Sequence, residues 1–377
     1  MPSSRLISFL VCCVVSCASF AAVPVPKPPS IDARAYVLID FQSGRILAAD
    51  KPDAQMEPAS ITKLMTSYAV FRALQEKRLS LTDNVTISEH AWKAEGSRTF
   101  AQVGTQIPVD ILIKGMTVQS GNDATIALAE KIGGTEDGFV QMMNSYAGEL
   151  GLKNSHFNDS SGLPGPTHYM SAHDIAILSR VLIRDYPEYY KYYSIREFEY
   201  GGIKQQNRNG LLARDPTVDG IKTGHTDSAG YCLASSAKRG ETRLISVVLG
   251  TASFKAREDA SAALLNYGFT FFETVKVKGA GDVILKPQVY KGETDRVTLV
   301  PARDVWVTTS RGSAAPTTTA TVKEPVIAPI KAGQALGELT ISDGKDVIDR
   351  VPLVAQGAVP EGGWWTRMVD GISLWMR

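Results

Sequence analysis

Cysteine is scarce. The chain carries four in 377 residues, and Cys12, Cys13 and Cys17 all fall before residue 22. Only Cys232 remains beyond that point, so no internal disulfide can form there, and its apolar surroundings mark it as a small buried hydrophobe. A charge bias is missing as well. Forty basic residues stand against 39 acidic ones, a formal net charge of +1, which excludes the basic bias of a nucleic-acid binder. The histidines show no His-Glu-x-x-His spacing, and the chain has no phosphate loop, no dinucleotide fingerprint and no Gly-x-Ser-x-Gly elbow. No metal and no cofactor are therefore expected. His90, His156, His168 and His173 read as exposed or capping side chains.

A long hydrophobic run is absent too. The apolar stretch 6–15 is short for a spanning helix. Arg5 precedes it and Ser19-Phe20-Ala21 follows, so residues 1–21 read as a cleaved secretory leader. A retained anchor, or a lipoprotein box at Val14-Val15-Ser16-Cys17, is the lesser alternative. Losing the leader removes Arg5 and brings the formal charge to zero.

What is present is ordinary globular material: 44% hydrophobic and 21% charged residues can bury a real core. The length suggests two or three domains. Residues 22–33 are a Pro-rich lead-in. Residues 34–272 read as one α+β domain. A hairpin comes first (35–40 and 45–49), then helices near 60–77, 105–119, 124–132, 139–150 and 172–183. Strands return at 220–224, 231–238 and 242–249, and Ser253 caps a last helix to about 269. With the hairpin these strands make a five-stranded antiparallel sheet flanked by helices. Residues 273–358 change to short strands and turns, a small all-β domain. In the tail, 359–377, Trp364, Trp365, Met368, Ile372, Trp375 and Met376 share one helical face, opposite Arg367, Asp370, Ser373 and Arg377. That amphipathic helix suits a membrane interface and is too short and polar to span.

The chemistry starts at Glu57-Pro58-Ala59-Ser60-Ile61-Thr62-Lys63. Ile61, Leu64, Met65, Tyr68, Phe71 and Leu74 mark one helical face, with Pro58 suited to the first turn. Ser60 and Lys63 are then neighbours one turn apart. A hydroxyl beside an amine at a helix start is a nucleophile with its base, and unpaired N–H groups there can hold an oxyanion. Ser-x-x-Lys alone is a weak signal. Ser120-Gly121-Asn122 in a loop between helices, and Lys222-Thr223-Gly224 on a strand before a hairpin, strengthen it. Gly96-Ser97-Arg98 is expected to border the site.

The three motifs in this order resemble the signature set of the penicillin-recognising serine enzymes, the β-lactamases and penicillin-binding proteins. Residues 57–66, 120–124 and 219–231, with the terminal amphipathic segment, are similar to the low-molecular-mass D-alanyl-D-alanine carboxypeptidases, the penicillin-binding protein 5 and 6 group of peptidase S11 type. The resemblance covers essentially the whole chain after the leader. It implies a β-lactamase/transpeptidase-like domain, a small β-sandwich and a C-terminal helix on the membrane. It implies removal of the terminal D-alanine from peptidoglycan stem peptides, inhibition by β-lactams, and a periplasmic place on the outer face of the inner membrane.

On that resemblance Ser60 becomes the acyl-enzyme, Lys63 is the base if burial near Lys222 keeps it neutral, and Ser120 relays a proton. Asn122 holds Lys63 and the substrate amide. Lys222 and Thr223 face the substrate carboxylate, and Gly224 lets substrate lie against the strand. The N–H groups of Ser60 and His225 form the oxyanion hole, and Arg257 grips the free carboxylate. A Ser-His-Asp triad through His225 is disfavoured, because Ser60 already has Lys63. The loop 158–163 lacks the Glu-x-x-x-Asn of fast β-lactamases, so slow release of bound penicillin is expected. The alternatives are a serine β-lactamase and a non-catalytic wall-binding scaffold.

Overall fold

The computed structural model describes residues 25–376. The leader expected over 1–21 lies outside the described residues. The first hairpin is β1 (Ala35–Asp40) and β2 (Ile46–Asp50). Four long helices follow: α1 (Lys63–Gln75), α2 (Asn122–Gly133), α3 (Glu136–Glu149) and α4 (Ala172–Asp185). The chain returns as β3 (Val218–Thr226), β4 (Gly230–Arg239) and β5 (Thr242–Thr251), and α5 (Phe254–Phe271) closes the unit. The strand order is β2-β1-β5-β4-β3 and every pairing is antiparallel. This is the five-stranded sheet of the α+β reading, with β3 at an edge.

Alternation along the strands splits the core in two. Leu38, Leu233, Leu244 and Val248 pack with Leu264 and Leu265 of α5. Val37, Ile39, Ile245 and Val247 face the other way, into the larger core that holds α1, α2 and α4. Each such aliphatic side chain contributes about 1.5–3 kcal/mol on burial. Thr135, Ser171 and Ser253 cap α3, α4 and α5 by accepting from the N–H of Gly138, Asp174 and Ala256, worth about 1 kcal/mol each.

Two local expectations need correction. The α1 spacing predicts one buried face, yet Thr66, Ser67, Ala69, Val70 and Ala73 are buried as well. The helix runs between the sheet and the other helices and is enclosed nearly all round. Thr105 and Pro108 do not open a helix. Gln106–Pro108 is a strand paired with Asn84–Thr86, and the helix is Val109–Lys114, widening into a π-helical turn over Gly115–Gln119. Gly115 belongs there because a Cβ would sit 2.4 Å from Thr99 Oγ1. Between α4 and β3, Pro187–Tyr190 and Lys191–Ser194 are short helical turns, and Glu197–Tyr200 pairs with Ile203–Gln206.

The C-terminal unit is all-β. Phe272–Lys278 pairs with Val305–Ser310, and a four-stranded sheet carries Leu299–Pro301, Asp346–Ala355, Ala335–Asp343 and Thr317–Val322. Val297, Leu299, Leu339, Ile341, Val351 and Leu353 fill its core. The two units are bolted at one buried carboxylate. Asp40 accepts from the Ser43 N–H at 2.7 Å and from Thr274 Oγ1 at 2.7 Å, and Ser43 Oγ lies 2.6 Å from Thr308 Oγ1. Last comes α6 (Trp364–Trp375), none of whose residues is buried. Asp370 turns toward the β domain and accepts from the Lys291 N–H. Trp364, Trp365, Ile372 and Trp375 stay exposed, Trp375 at 87%.

Candidate active site

The nucleophile sits on a tighter turn than its spacing suggests. Ala59–Thr62 is a 3₁₀ turn that precedes α1, and Ala59 has φ +48°, a conformation that costs energy for a residue with a Cβ. The turn leaves Ser60 half-exposed to the cleft and Lys63 1% exposed. Lys63 Nζ lies 2.8 Å from Ser60 Oγ, 2.7 Å from Asn122 Oδ1 and 2.7 Å from the Ser161 carbonyl. An ammonium donates to all three. A free amine donates to two and keeps a lone pair for the Ser60 proton. Burial pushes the Lys63 ammonium down to about 7; Asp159, Asp123 and Glu136 pull it upward, and Arg208 pushes it further down.

Ser120 is delivered by the π-helical turn in a left-handed conformation, φ +66°. It is held from the strand side: Lys222 Nζ donates to Ser120 Oγ at 2.9 Å and to the Thr223 carbonyl at 2.9 Å. The Lys222 ammonium is also pushed down, by burial first and then by Lys63, Arg208 and Arg257. Asn122 does not cap α2, whose cap is Gly121. Its Nδ2 donates to the Glu95 carbonyl at 2.6 Å and its N–H to Ser97 at 2.7 Å. The side chain thus orients Lys63 and the 95–97 loop, and its Nδ2 keeps a second N–H toward the cleft that Asn122 lines. Asp123 beside it accepts from the N–H groups of Thr99 and Ala101.

Gly224 has a packing reason beside the one expected. A Cβ there would meet Pro58 O at 2.7 Å and Ala59 Cβ and Ile61 Cγ1 at 3.2 Å. Glycine lets the edge strand close on the turn that carries Ser60, and the same residue lines the cleft. Thr223 and His225 line the cleft beside Ser60. The His225 ring stacks on Tyr231 at 4.0 Å.

Arg257 is no surface charge. It is 1% exposed, donates to the carbonyls of Gly224 at 3.2 Å and Arg208 at 3.1 Å, and sits 4.8 Å over Phe254. Burial lowers its guanidinium to about 10. Its Nε has no partner among the described residues. Arg208, which sequence reasoning missed, lines the same wall. A small pocket of about 90 Å³ takes in Ser60, Ser120, Thr223, Arg208 and Arg257. A wider one of about 320 Å³ adjoins it past Ser97, Asn122, Gly162 and Leu163, so the 96–98 segment does border the site. Lys63, Lys222, Arg208 and Arg257 form no ion pair among the described residues, which leaves the cleft ready for a carboxylate.

The loop 158–163 carries the other missed groups. Asp159 Oδ1 accepts from the N–H groups of Ser161 at 2.7 Å and Gly162 at 2.6 Å. Burial works against this carboxylate, but His168 and those N–H groups win and hold it at about 2. A carboxylate so pinned is a poor base for water. His168 is buried, not exposed or capping as read from sequence. Among the described residues no group of His, Cys, Asp or Glu is placed to hold a metal. Burial raises the Cys232 thiol to about 11, which leaves it inert.

A serine held against a buried lysine, on a helical turn packed to the edge of a five-stranded antiparallel sheet, defines a serine acyl-transfer enzyme of the penicillin-binding fold. The sequence model of the D-alanyl-D-alanine carboxypeptidases, peptidase S11, matches residues 22–253. That of the penicillin-binding protein 5 C-terminal domain matches 272–361. The D-alanyl-D-alanine carboxypeptidase DacA of Escherichia coli K12 is 43% identical over 360 residues, 93% of this chain and 89% of that protein. DacC of the same organism is 40% identical over 365 residues, 94% and 91%. The crystal structure of penicillin-binding protein 5 from Haemophilus influenzae superposes with a TM-score of 0.85 at 42% identity, over 89% of this chain and all of that one. The chain belongs to the D-alanyl-D-alanine carboxypeptidases of peptidase family S11.

Proposed function

We propose that this chain removes the terminal D-alanine from peptidoglycan stem peptides through an acyl-enzyme on Ser60. The observation that carries the reading is the 2.8 Å contact between Ser60 Oγ and the buried Lys63 Nζ. Free Lys63 amine takes the hydroxyl proton as Ser60 Oγ attacks the carbonyl carbon between the two D-alanines. The N–H groups of Ser60 and His225 receive the oxyanion, where losing one donor costs about a hundred-fold or more. The C–N bond breaks, and the leaving amine takes a proton by way of Ser120, itself held by Lys222. Arg257 and Thr223 take the terminal carboxylate. Water then hydrolyses the ester. β-Lactams acylate the same serine. Because Asp159 is pinned and the loop has no glutamate, penicillin leaves slowly, which argues against the β-lactamase alternative.

The exposed tryptophan face of α6 supports a second part of the proposal: the helix lies in a membrane interface. Among the described residues no helix is long and apolar enough to cross a membrane, and an interfacial helix needs no span. With the leader expected over 1–21, this puts the enzyme in the periplasm, on the outer face of the inner membrane.

The test is D-alanine release from a D-Ala-D-Ala peptide with Ser60→Ala as control. Release by the wild type alone is the expected result. No release, with the two proteins alike, would leave the wall-binding scaffold. Rapid turnover of penicillin would favour the β-lactamase.

A further inference from the structure

Between the loop 158–168 and the nucleophile turn lies a buried link that the mechanism above does not use. His168 Nε2 is 2.8 Å from Thr62 Oγ1, and His168 Nδ1 is 3.3 Å from Asp159 Oδ2. Nδ1 accepts the Asn158 N–H at 3.3 Å, so the ring carries its proton on Nε2 and donates it to Thr62 Oγ1. The ring is 3% exposed and is braced edge-on by Phe157 at 5.8 Å. Thr62 is the last residue of the turn and precedes Lys63 directly. Asp159, at the other end, gathers the N–H groups of Ser161 and Gly162. Two residues on from Asp159, the Ser161 carbonyl receives Lys63 Nζ. The loop is also pressed onto the turn: Gly162 has φ +93°, and a Cβ there would stand 1.9 Å from Ala59 O. Thr66 Oγ1 adds a bond to the Ser160 carbonyl at 2.6 Å.

We propose that His168 is a positioning residue for acyl transfer: it ties Thr62 to the backbone of the loop 158–163 at Asn158 and so fixes the Ser161 carbonyl against the Lys63 amine. This rests on the acyl-transfer reading of Ser60 and Lys63. A carbonyl fixed on one side of the amine, with Asn122 on another, aims the remaining lone pair at Ser60. Misplacing such a base by an ångström costs far more in rate than in binding. The groups that grip a ligand carboxylate, Arg257 and Thr223, lie across the cleft and do not touch this link.

The experiment is saturation kinetics of acylation by a fluorescent penicillin, which separates the non-covalent dissociation constant from the acylation rate constant. His168→Leu is expected to lower the rate constant about tenfold or more with the dissociation constant unchanged. His168→Gln, whose amide nitrogen can reach Thr62, is expected to restore most of it. Thr62→Val is expected to behave as His168→Leu. Thermal melts with and without bound penicillin set the folded fraction used in each rate. The proposal is overturned if His168→Leu acylates at the wild-type rate. It is equally overturned if rate and binding fall together, or if the loss only tracks the folded fraction and His168→Gln rescues nothing. A wild type that takes no label would sink the acyl-transfer reading and this proposal with it; a labelled wild type matched by His168→Leu would sink this proposal alone.

Discussion

The proton on Lys63 sets the acid limit of the enzyme. Its ammonium is held at about 7, and only the free amine can act as base. The sign follows: activity is present above that value and lost as pH falls through it. Near pH 5 about 1% of the amine is free, near pH 7 about half, and near pH 8 about nine-tenths. Acylation should therefore rise roughly 50-fold from pH 5 to 7 and less than about twofold from 7 to 8.5. Two substitutions separate this from a general acid effect. Arg208 pushes the value down and Asp159 pulls it up. Arg208→Gln should move the midpoint upward and Asp159→Asn downward, each by about half a pH unit or more. Asn at 159 keeps one oxygen for the loop N–H groups, and Arg208→Lys serves as the charge-conserving control. Stopped-flow acylation by a chromogenic cephalosporin from pH 5 to 9 reads all four proteins. A flat profile, or midpoints that move in the same direction, would refute the free-amine argument.

Other outcomes follow from the same geometry. Lys63→Arg should abolish acylation, because a guanidinium stays protonated; stoichiometric labelling checks it. Arg257→Ala should lower kcat/KM for a D-Ala-D-Ala peptide about tenfold or more, the loss of a charged hydrogen bond worth about 1.5–3 kcal/mol, while a C-terminally amidated peptide changes little. Gly224→Ala should slow acylation and lower Tm, since its Cβ meets the nucleophile turn at 2.7 Å and overpacking costs about 1–3 kcal/mol. Truncation after Gly363 should free the protein from membranes and leave D-alanine release intact, read by flotation with anionic vesicles.

The site was readable in sequence where a side chain's chemistry needs a fixed local spacing. Ser60 and Lys63 are three apart, and they touch. It was unreadable where the structure uses what residue type does not encode. The third partner of Lys63 is the backbone carbonyl of Ser161, which any residue supplies. Arg208 looks like one arginine among many until folding brings it beside the cleft. His168 shows no pattern, because its partners lie 9 and 106 residues away. The packing need for Gly224 was hidden, since the atoms it avoids are 163–166 positions upstream. The sheet was legible from its alternating strands. The edge strand Thr317–Val322 was not, because nearly all of it faces solvent and it carries no apolar alternation. The 3₁₀ turn at Ser60 escaped because helix period and caps look alike for both.

The joint at Asp40 has a consequence for reach. Two hydroxyls and an N–H close around one buried carboxylate, with the Thr308 hydroxyl behind Ser43, so the catalytic unit cannot swing freely on its β pedestal without baring that charge. If α6 lies on a bilayer, as proposed, the cleft would ride at one altitude above the lipid. Such a tool would trim what passes at its own height. The choice of which strands of wall are shortened would be made by elevation as much as by chemistry, and lengthening the pedestal would change the harvest without touching the blade.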